Sequence, residues 1–176
     1  MRKRKTLDVL RHSRHDWLNR LQLIKANLSL GRLERVSNLI DEIVLESNHE
    51  SNLTNLHAPL FAEYLITYHW EPRLFSFEYE VIGNPVDMSK LDDILYRWIS
   101  SLFTGLEKVV NRTGDNHLFL SLHIEKTEVR FFFDINGILE DTGFLKHWLK
   151  NQPNEFYVNE KEISIEESNF TVSLKL

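Results

Sequence analysis

Apolar residues recur through the first thirty positions at the spacing of one helix face. Leu7, Leu10, Arg14, Trp17, Leu21, Ile24 and Leu28 fall on a single heptad seam, apolar everywhere except Arg14. A period of 3.6 residues keeps those positions on one side. The pattern predicts a helix from Thr6 to Leu30, with Gly31 as its breaker and cap. A second helical rhythm follows at once in Leu33, Val36, Leu39, Ile40, Ile43 and Val44. So short a connection makes the two helices antiparallel neighbours. Two helices with apolar faces this wide cannot cover each other, and an isolated hairpin of this kind is marginal. A second copy that completes a four-helix bundle is the simplest remedy, so a homodimer is expected.

From Ser47 to His57 the pattern turns polar, and Pro59 fixes a new start. The chain is therefore expected to comprise a helical hairpin at 1–57 and a second domain at 58–176. Pro59–Trp70 reads as a short helix, and Phe75, Phe77, Tyr79 and Val81 alternate as a half-buried strand does. Gly83-Asn84-Pro85 is a turn. Ser89 with Asp92 is a candidate cap for a long helix striped by Leu91, Ile94, Leu95, Trp98, Ile99, Leu102, Phe103, Leu106, Val109 and Val110. Leu118–Ile124 and Val129–Ile135 are strands joined as a hairpin through Lys126-Thr127. Phe144–Lys150 is a short helix, and Ile163–Ile165 and Phe170–Leu176 are strand-like. The fold class is α+β, with helices on one face of a mostly antiparallel sheet.

Composition places the chain among folded proteins: 42% of its residues are hydrophobic and 27% charged. There is no cysteine, which excludes a disulfide framework and any thiolate metal site. No apolar run approaches the length of a membrane span, and MRKRK lacks the apolar segment of a signal peptide. A cytoplasmic protein without membrane contact is expected. The net charge of −5 hides an asymmetry, since the first 35 residues carry +7 and the remainder −12. A basic first helix suits an acidic or phosphorylated partner. Arg2, Lys3, Arg4 and Lys5 read as a solubilising tail. Neither aromatic interleaving nor a known motif accompanies the charge, so no nucleic-acid partner is expected.

His15 sits one position off the seam, about 100° around the helix from Arg14. Its neighbours at helical spacing are Arg11, His12, Leu18 and Asn19, with Gln22 a turn further on. Spacing alone leaves two readings open: a solvated, accessible surface histidine, or a metal pair of His12 and His15 with Asp16.

The run HSRHDWLNRLQLIKANLSL resembles the phosphorylated helix of the sporulation initiation phosphotransferase family. Weaker similarity continues through HESNLTNLHAP, FEYEVIG and NHLFLSL. Within it, R-H-D-x-x-N-x-L-Q is similar to the phosphoacceptor box of citrate- and fumarate-type sensor kinases. The resemblance implies a histidine phosphotransferase with His15 as the phosphorylated residue. It also implies a dimeric four-helix bundle and a C-terminal α/β sandwich like a degenerate histidine-kinase ATP-binding domain. In that family's reaction an aspartyl phosphate on one response regulator passes its phosphoryl group to histidine, which passes it to a second. The partners implied are therefore receiver domains, which would bring Mg2+, with no cofactor or metal on this chain.

Asn19 and Gln22 are candidate receiver contacts, with Leu18 as an apolar anchor. Asp16 either orients the ring or is simply solvated, and Arg14 either packs by its stem or reaches phosphate. Trp17 is expected in the bundle core.

Gripping a triphosphate needs glycine-rich loops that let the backbone approach the oxygens. The six glycines never occur as G-x-G. Asp134-Ile135-Asn136-Gly137-Ile138 echoes a kinase glycine box but lacks its second glycine, and Asn111 stands alone near the end of the long helix. The second domain is therefore expected not to bind ATP productively. Two rival functions remain: a minimal histidine autokinase, and a non-enzymatic dimeric scaffold that sequesters receiver domains.

Overall fold

A computed structural model describes residues 6–176; the basic run Arg2–Lys5 lies outside them. Helix α1 spans Thr6–Ser29 and helix α2 spans Leu33–Thr54. Between them Gly31 takes a φ of +67°, a left-handed conformation that side-chain-bearing residues rarely adopt. The Gly31 amide donates to the Leu28 carbonyl and the Arg32 amide to the Asn27 carbonyl. That pair of bonds satisfies the last carbonyls of a helix and reverses the chain, as the sequence led us to expect. An ion pair between Arg20 and Glu46 joins the two helices. Val36 is buried, and Ile24, Leu39 and Ile43 are half-buried.

The chain divides into two compact units within α2, between Asn48 and His49. The run after Ser47 is polar in sequence, yet it stays helical to Thr54. Its few apolar positions suffice to anchor it, because Leu53 and Leu56 are fully buried in the core of the second unit.

The remaining elements are helix α3 (Pro59–Ile66), strand β1 (Ser76–Ile82), helix α4 (Asp92–Val109), strand β2 (His117–Ile124) and strand β3 (Glu128–Asn136). Helix α5 (Gly143–Lys150), strand β4 (Phe156–Ile163) and strand β5 (Glu167–Lys175) complete the chain. The strands form one sheet in the order β1-β2-β3-β5-β4. β1 runs parallel to β2, because α4 carries the chain across between them, and the other pairs are antiparallel. The fold is α+β. Alternation puts Leu118, Leu120, Leu122, Phe131, Phe133 and Val172 in the core, with Leu95, Trp98, Ile99, Leu102 and Leu106 of α4. Trp98 stacks on Phe156 at 4.4 Å between ring centres and meets Phe131 edge-on at 4.9 Å. At the outer edge of β1, the Val81 amide donates to His49 Nδ1 at 3.1 Å, so α2 covers a backbone group that the sheet leaves unpaired.

Three sequence expectations need correction. The expected strand at Ile163–Ile165 is β4, which ends at Ile163; Ser164–Glu166 form the turn into β5. β4 escaped notice because a bulge between Val158 and Glu160 breaks its alternation, and because it is an edge strand carrying Glu160, Lys161 and Glu162. Ser89 does not cap α4. It lies in a 3-10 turn, its amide held by Asp87, while the Asp92 carboxylate accepts the amides of Leu60 and Phe61 and so caps α3. The helix expected over Pro59–Trp70 ends at Ile66 and is followed by a separate 3-10 turn, Tyr68–Trp70.

Candidate functional site

The heptad that builds α1 also decides what it exposes. His15 lies midway along the helix with its side chain 72% exposed. Leu18, Asn19 and Gln22 are exposed beside it, as the 3.6-residue period requires. Arg14 is exposed and Asp16 half-buried. The Nδ1 atom of His15 has two neighbours on its own helix: the side-chain Nδ2 of Asn19 at 3.2 Å and the Asp16 carboxylate at 3.5 Å. The second distance is long for a hydrogen bond, so Asn19 is the stronger partner. Among the described residues no hydrogen bond engages Nε2.

Leu7, Leu10, Trp17, Leu21 and Leu28 of the seam are each at least half exposed in the single chain. On α2, Leu33, Ile40 and Val44 are exposed as well. Each stripe lies roughly 100° around its helix from the residues that face the other helix. Because the helices are antiparallel, both stripes fall on the same side of the hairpin. His15 points away from that side. The hairpin thus carries an apolar stripe on one side and the imidazole on another, where Leu18 and Leu23 are also exposed.

In the second unit Asn111 and Gly137 are engaged within the chain, while the buried Oδ1 atoms of Asn116 and Asp134 accept no hydrogen bond among the described residues. Both ends of the Asn111 amide are used: Nδ2 donates to Glu140, and Oδ1 accepts from the backbone and hydroxyl of Thr113. Gly137 has a φ of +142°, and a Cβ there would lie 2.4 Å from Asn116 Oδ1. Its missing side chain makes room for Asn116, a buried internal clasp that donates to the carbonyls of Leu74 and Asn111. The link from β3 to α5 is bonded along its length. Gly137 and Leu139 amides donate to Glu166 and Ile165, the Glu140 amide to Val109, and the Ile138 carbonyl accepts from Asn111. Asp134 alternates with the buried Phe133 and Ile135 and so lies on the sheet face opposite the helices. Phe144 of α5 packs so closely on α4 that a Cβ at Gly105 would meet its ring at 1.8 Å. Among the described residues, three or more His, Asp or Glu side chains do not gather as a metal cage requires. No helix of the described residues is long and apolar enough to cross a membrane.

Residues 1–56 match the family described as Sensor kinase SpoOB-type, alpha-helical domain, and residues 57–175 match Sporulation initiation phospho-transferase B, C-terminal. The chain belongs to the sporulation initiation phosphotransferase B family. Sporulation initiation phosphotransferase B of Bacillus subtilis (strain 168) is 39% identical over 137 residues, which cover 77% of this chain and 71% of that protein. Among solved structures, the histidine kinase domain of the Erythrobacter litoralis EL346 blue-light activated histidine kinase is 12% identical, with a TM-score of 0.47. The match covers 69% of this chain and 61% of that one, so the chain spans about three fifths of that kinase domain's length. The Erythrobacter litoralis EL346 blue-light activated histidine kinase itself gives a TM-score of 0.44 at 13% identity, covering 100% of this chain and 62% of that one.

Sequence reasoning named the residues of the exposed face correctly as neighbours. It missed the contact between Asn19 and the ring, although the four-residue spacing that produces it was visible. It also missed His49 as a clasp on β1, a partnership across 32 residues with no local signal.

Proposed function

We propose that this family member is a histidine phosphotransferase in a sporulation-type phosphorelay, carrying a phosphoryl group on His15 between the receiver domains of two response regulators. The observation that carries the reading is the exposed imidazole of His15, set midway along α1 among Leu18, Asn19 and Gln22. Attack by a ring nitrogen's lone pair forms an N–P bond as the P–O bond to the donor's aspartate breaks, and that carboxylate leaves with the electron pair. The second transfer reverses these steps onto the acceptor's aspartate. A loose, in-line transition state asks mainly for positioning and charge neutralisation. The receiver would supply Mg2+ and its own carboxylates; this chain supplies the ring and a docking face of Leu18, Asn19 and Gln22. In this reading Arg14 meets phosphate charge and Asp16 orients the ring.

Supply of the phosphoryl group by a docked receiver, and not by ATP, is supported by the internal bonds of Asn111, Gly137 and the β3–α5 link. Homodimerisation into a four-helix bundle is supported by the two exposed apolar stripes, which would bury Trp17 in its core. Such a protein would work in the cytoplasm, where receiver domains are found.

The test is a reconstituted relay between two receivers. The wild-type chain should pass labelled phosphoryl from one to the other, with mass spectrometry locating it on His15, and His15→Ala should reduce transfer to background. Relay that survives His15→Ala overturns the proposal. Label on His15 from ATP without any receiver would mark an autokinase. Receiver binding indifferent to His15→Ala, with no phosphohistidine at any stage, would mark a sequestering scaffold.

A further inference from the structure

We propose that the outward face of the sheet is a docking surface for a basic segment of a partner protein, with an arginine side chain of that segment seated beside Phe119, Phe132 and Asp134. The proposal concerns the second unit alone and does not rest on the phosphotransferase reading of His15.

Helices α3, α4 and α5 all contribute to the single core on the inward face of the sheet, so within the second unit the outward face is left uncovered. Register sets its side chains in rows. One runs Glu78, Phe119, Asp134, Asn169 and Glu162 from β1 to β4, and the next Glu80, Ser121, Phe132, Thr171 and Glu160. A sheet face turned to water is ordinarily polar. Here Phe119 and Phe132, diagonal neighbours on β2 and β3, stand on it half-buried and outside the core. Beside them a cavity of about 320 Å3 is lined by both rings with Asp134, Glu160, Glu167 and Asn169.

Asp134 indicates the charge of the occupant. Its Oδ1 is buried and accepts no hydrogen bond from any described residue. An oxygen in that state bears its desolvation cost without return and calls for a donor from outside the fold. The cations at outward positions of β3 and β5 are engaged elsewhere: Arg130 pairs with Glu125 and Glu128, and Lys175 lies over the Tyr157 ring. Glu78 and Glu80 on β1, with Glu160 and Glu162 on β4, flank the rings with further negative charge.

Among the described residues the acids do not gather closely enough for a metal ion, which leaves an organic cation. A guanidinium fits best. Its flat, weakly hydrated head rests on a phenyl face while its N–H fork meets a carboxylate. A lysine ammonium holds its water more firmly and has no flat face to offer. The flanking acids span four strand spacings, roughly 19 Å, beyond the reach of one side chain. The occupant is therefore a segment with several cations, not a lone small molecule.

The test titrates a probe peptide into the full chain. The probe has five residues and capped ends, with arginine at its second and fourth positions and leucine or valine elsewhere. Calorimetry reads affinity, and NMR reads the Phe119 and Phe132 rings, whose signals should shift. Citrulline keeps the shape of arginine without its charge. Its peptide, and the variant Asp134→Asn with the arginine peptide, should each bind roughly tenfold more weakly or worse. The lysine peptide should also bind less tightly than the arginine one. Asp134→Asn should unfold at the same urea concentration as wild type or a higher one, because no hydrogen bond to Oδ1 is lost. No binding at about 1 mM peptide, or equal affinity for the arginine, lysine and citrulline peptides, overturns the proposal. So does an Asp134→Asn variant that binds like wild type, or one that unfolds more easily and so gives Asp134 a structural role. Ring shifts that appear without peptide as the protein is concentrated, and vanish in Asp134→Asn, would make the occupant a second copy of this chain and also overturn it.

Discussion

Leu21→Glu should dissociate the proposed dimer while leaving the single chain folded. Leu21 lies in the middle of the α1 seam and is 55% exposed in the isolated chain. Fully burying a leucine contributes about 1.5–3 kcal/mol, so covering its remaining half contributes about 0.8–1.5 kcal/mol. In a two-fold dimer the residue occurs twice, so about 1.5–3 kcal/mol of association energy is removed. That corresponds to a rise in dissociation constant of roughly 10- to 150-fold, before the cost of bringing two carboxylates into an apolar seam is added. Glutamate is nearly as good a helix former as leucine, so α1 itself should persist. Leu23→Glu is the control: Leu23 is 54% exposed on the same helix but lies about 160° around from Leu21, away from the seam. Sedimentation velocity across about two decades of concentration around the micromolar range, with circular dichroism for helix content, reads the outcome. Wild type and Leu23→Glu should sediment as dimers and Leu21→Glu as a monomer with its helices intact. If Leu21→Glu sediments like wild type, or wild type is itself a monomer, another explanation is needed for the exposed apolar side of the hairpin.

Two further predictions concern the second unit. Gly105→Ala adds a methyl group where the Phe144 ring stands at 1.8 Å, so the gain in helix propensity of about 1 kcal/mol should be outweighed by overpacking of roughly 1–3 kcal/mol. Urea unfolding should show net destabilisation, largely relieved when Phe144→Leu is added, and a more stable Gly105→Ala single variant would contradict the packing. Asp92→Ala removes a buried carboxylate that accepts the Leu60 and Phe61 amides at 3.0 and 2.9 Å, and should cost about 1–3 kcal/mol. Asp92→Asn should recover part of that through its carbonyl oxygen, and an unchanged unfolding midpoint for Asp92→Ala would deny the cap its role.

Features that the sequence made legible are those whose cause is local. The seam of α1 and the stop at Gly31 are set by residues within a turn or two, and the strands with clean alternation, β2 and β3, were found for the same reason. β4 was hidden because its bulge and its charges serve an edge and not a buried face. Asp92 was misassigned to its own helix because it caps α3 across 31 and 32 residues, a pairing that exists only once α3 packs on α4. At the candidate site the face of His15, Leu18, Asn19 and Gln22 follows from helical spacing alone. Which nitrogen of the ring is engaged does not, since it depends on side-chain torsions that spacing leaves open.

The internal bonding of the second unit bears on the proposal that the phosphoryl group does not come from ATP. A phosphate-gripping loop keeps backbone donors unpaired until oxygens arrive, and glycines hold the main chain close to that ligand. Here the amides of Gly137, Leu139 and Glu140 already donate to carbonyls of the same chain, and the φ of +142° at Gly137 is used to accommodate Asn116. Opening this segment for a triphosphate would first break those bonds, each worth about 1 kcal/mol net and more if a buried group were left unsatisfied. The cost of binding is thus built into the ground state. Under the proposed function the hairpin's imidazole is then charged from outside, by whichever receiver its exposed face admits.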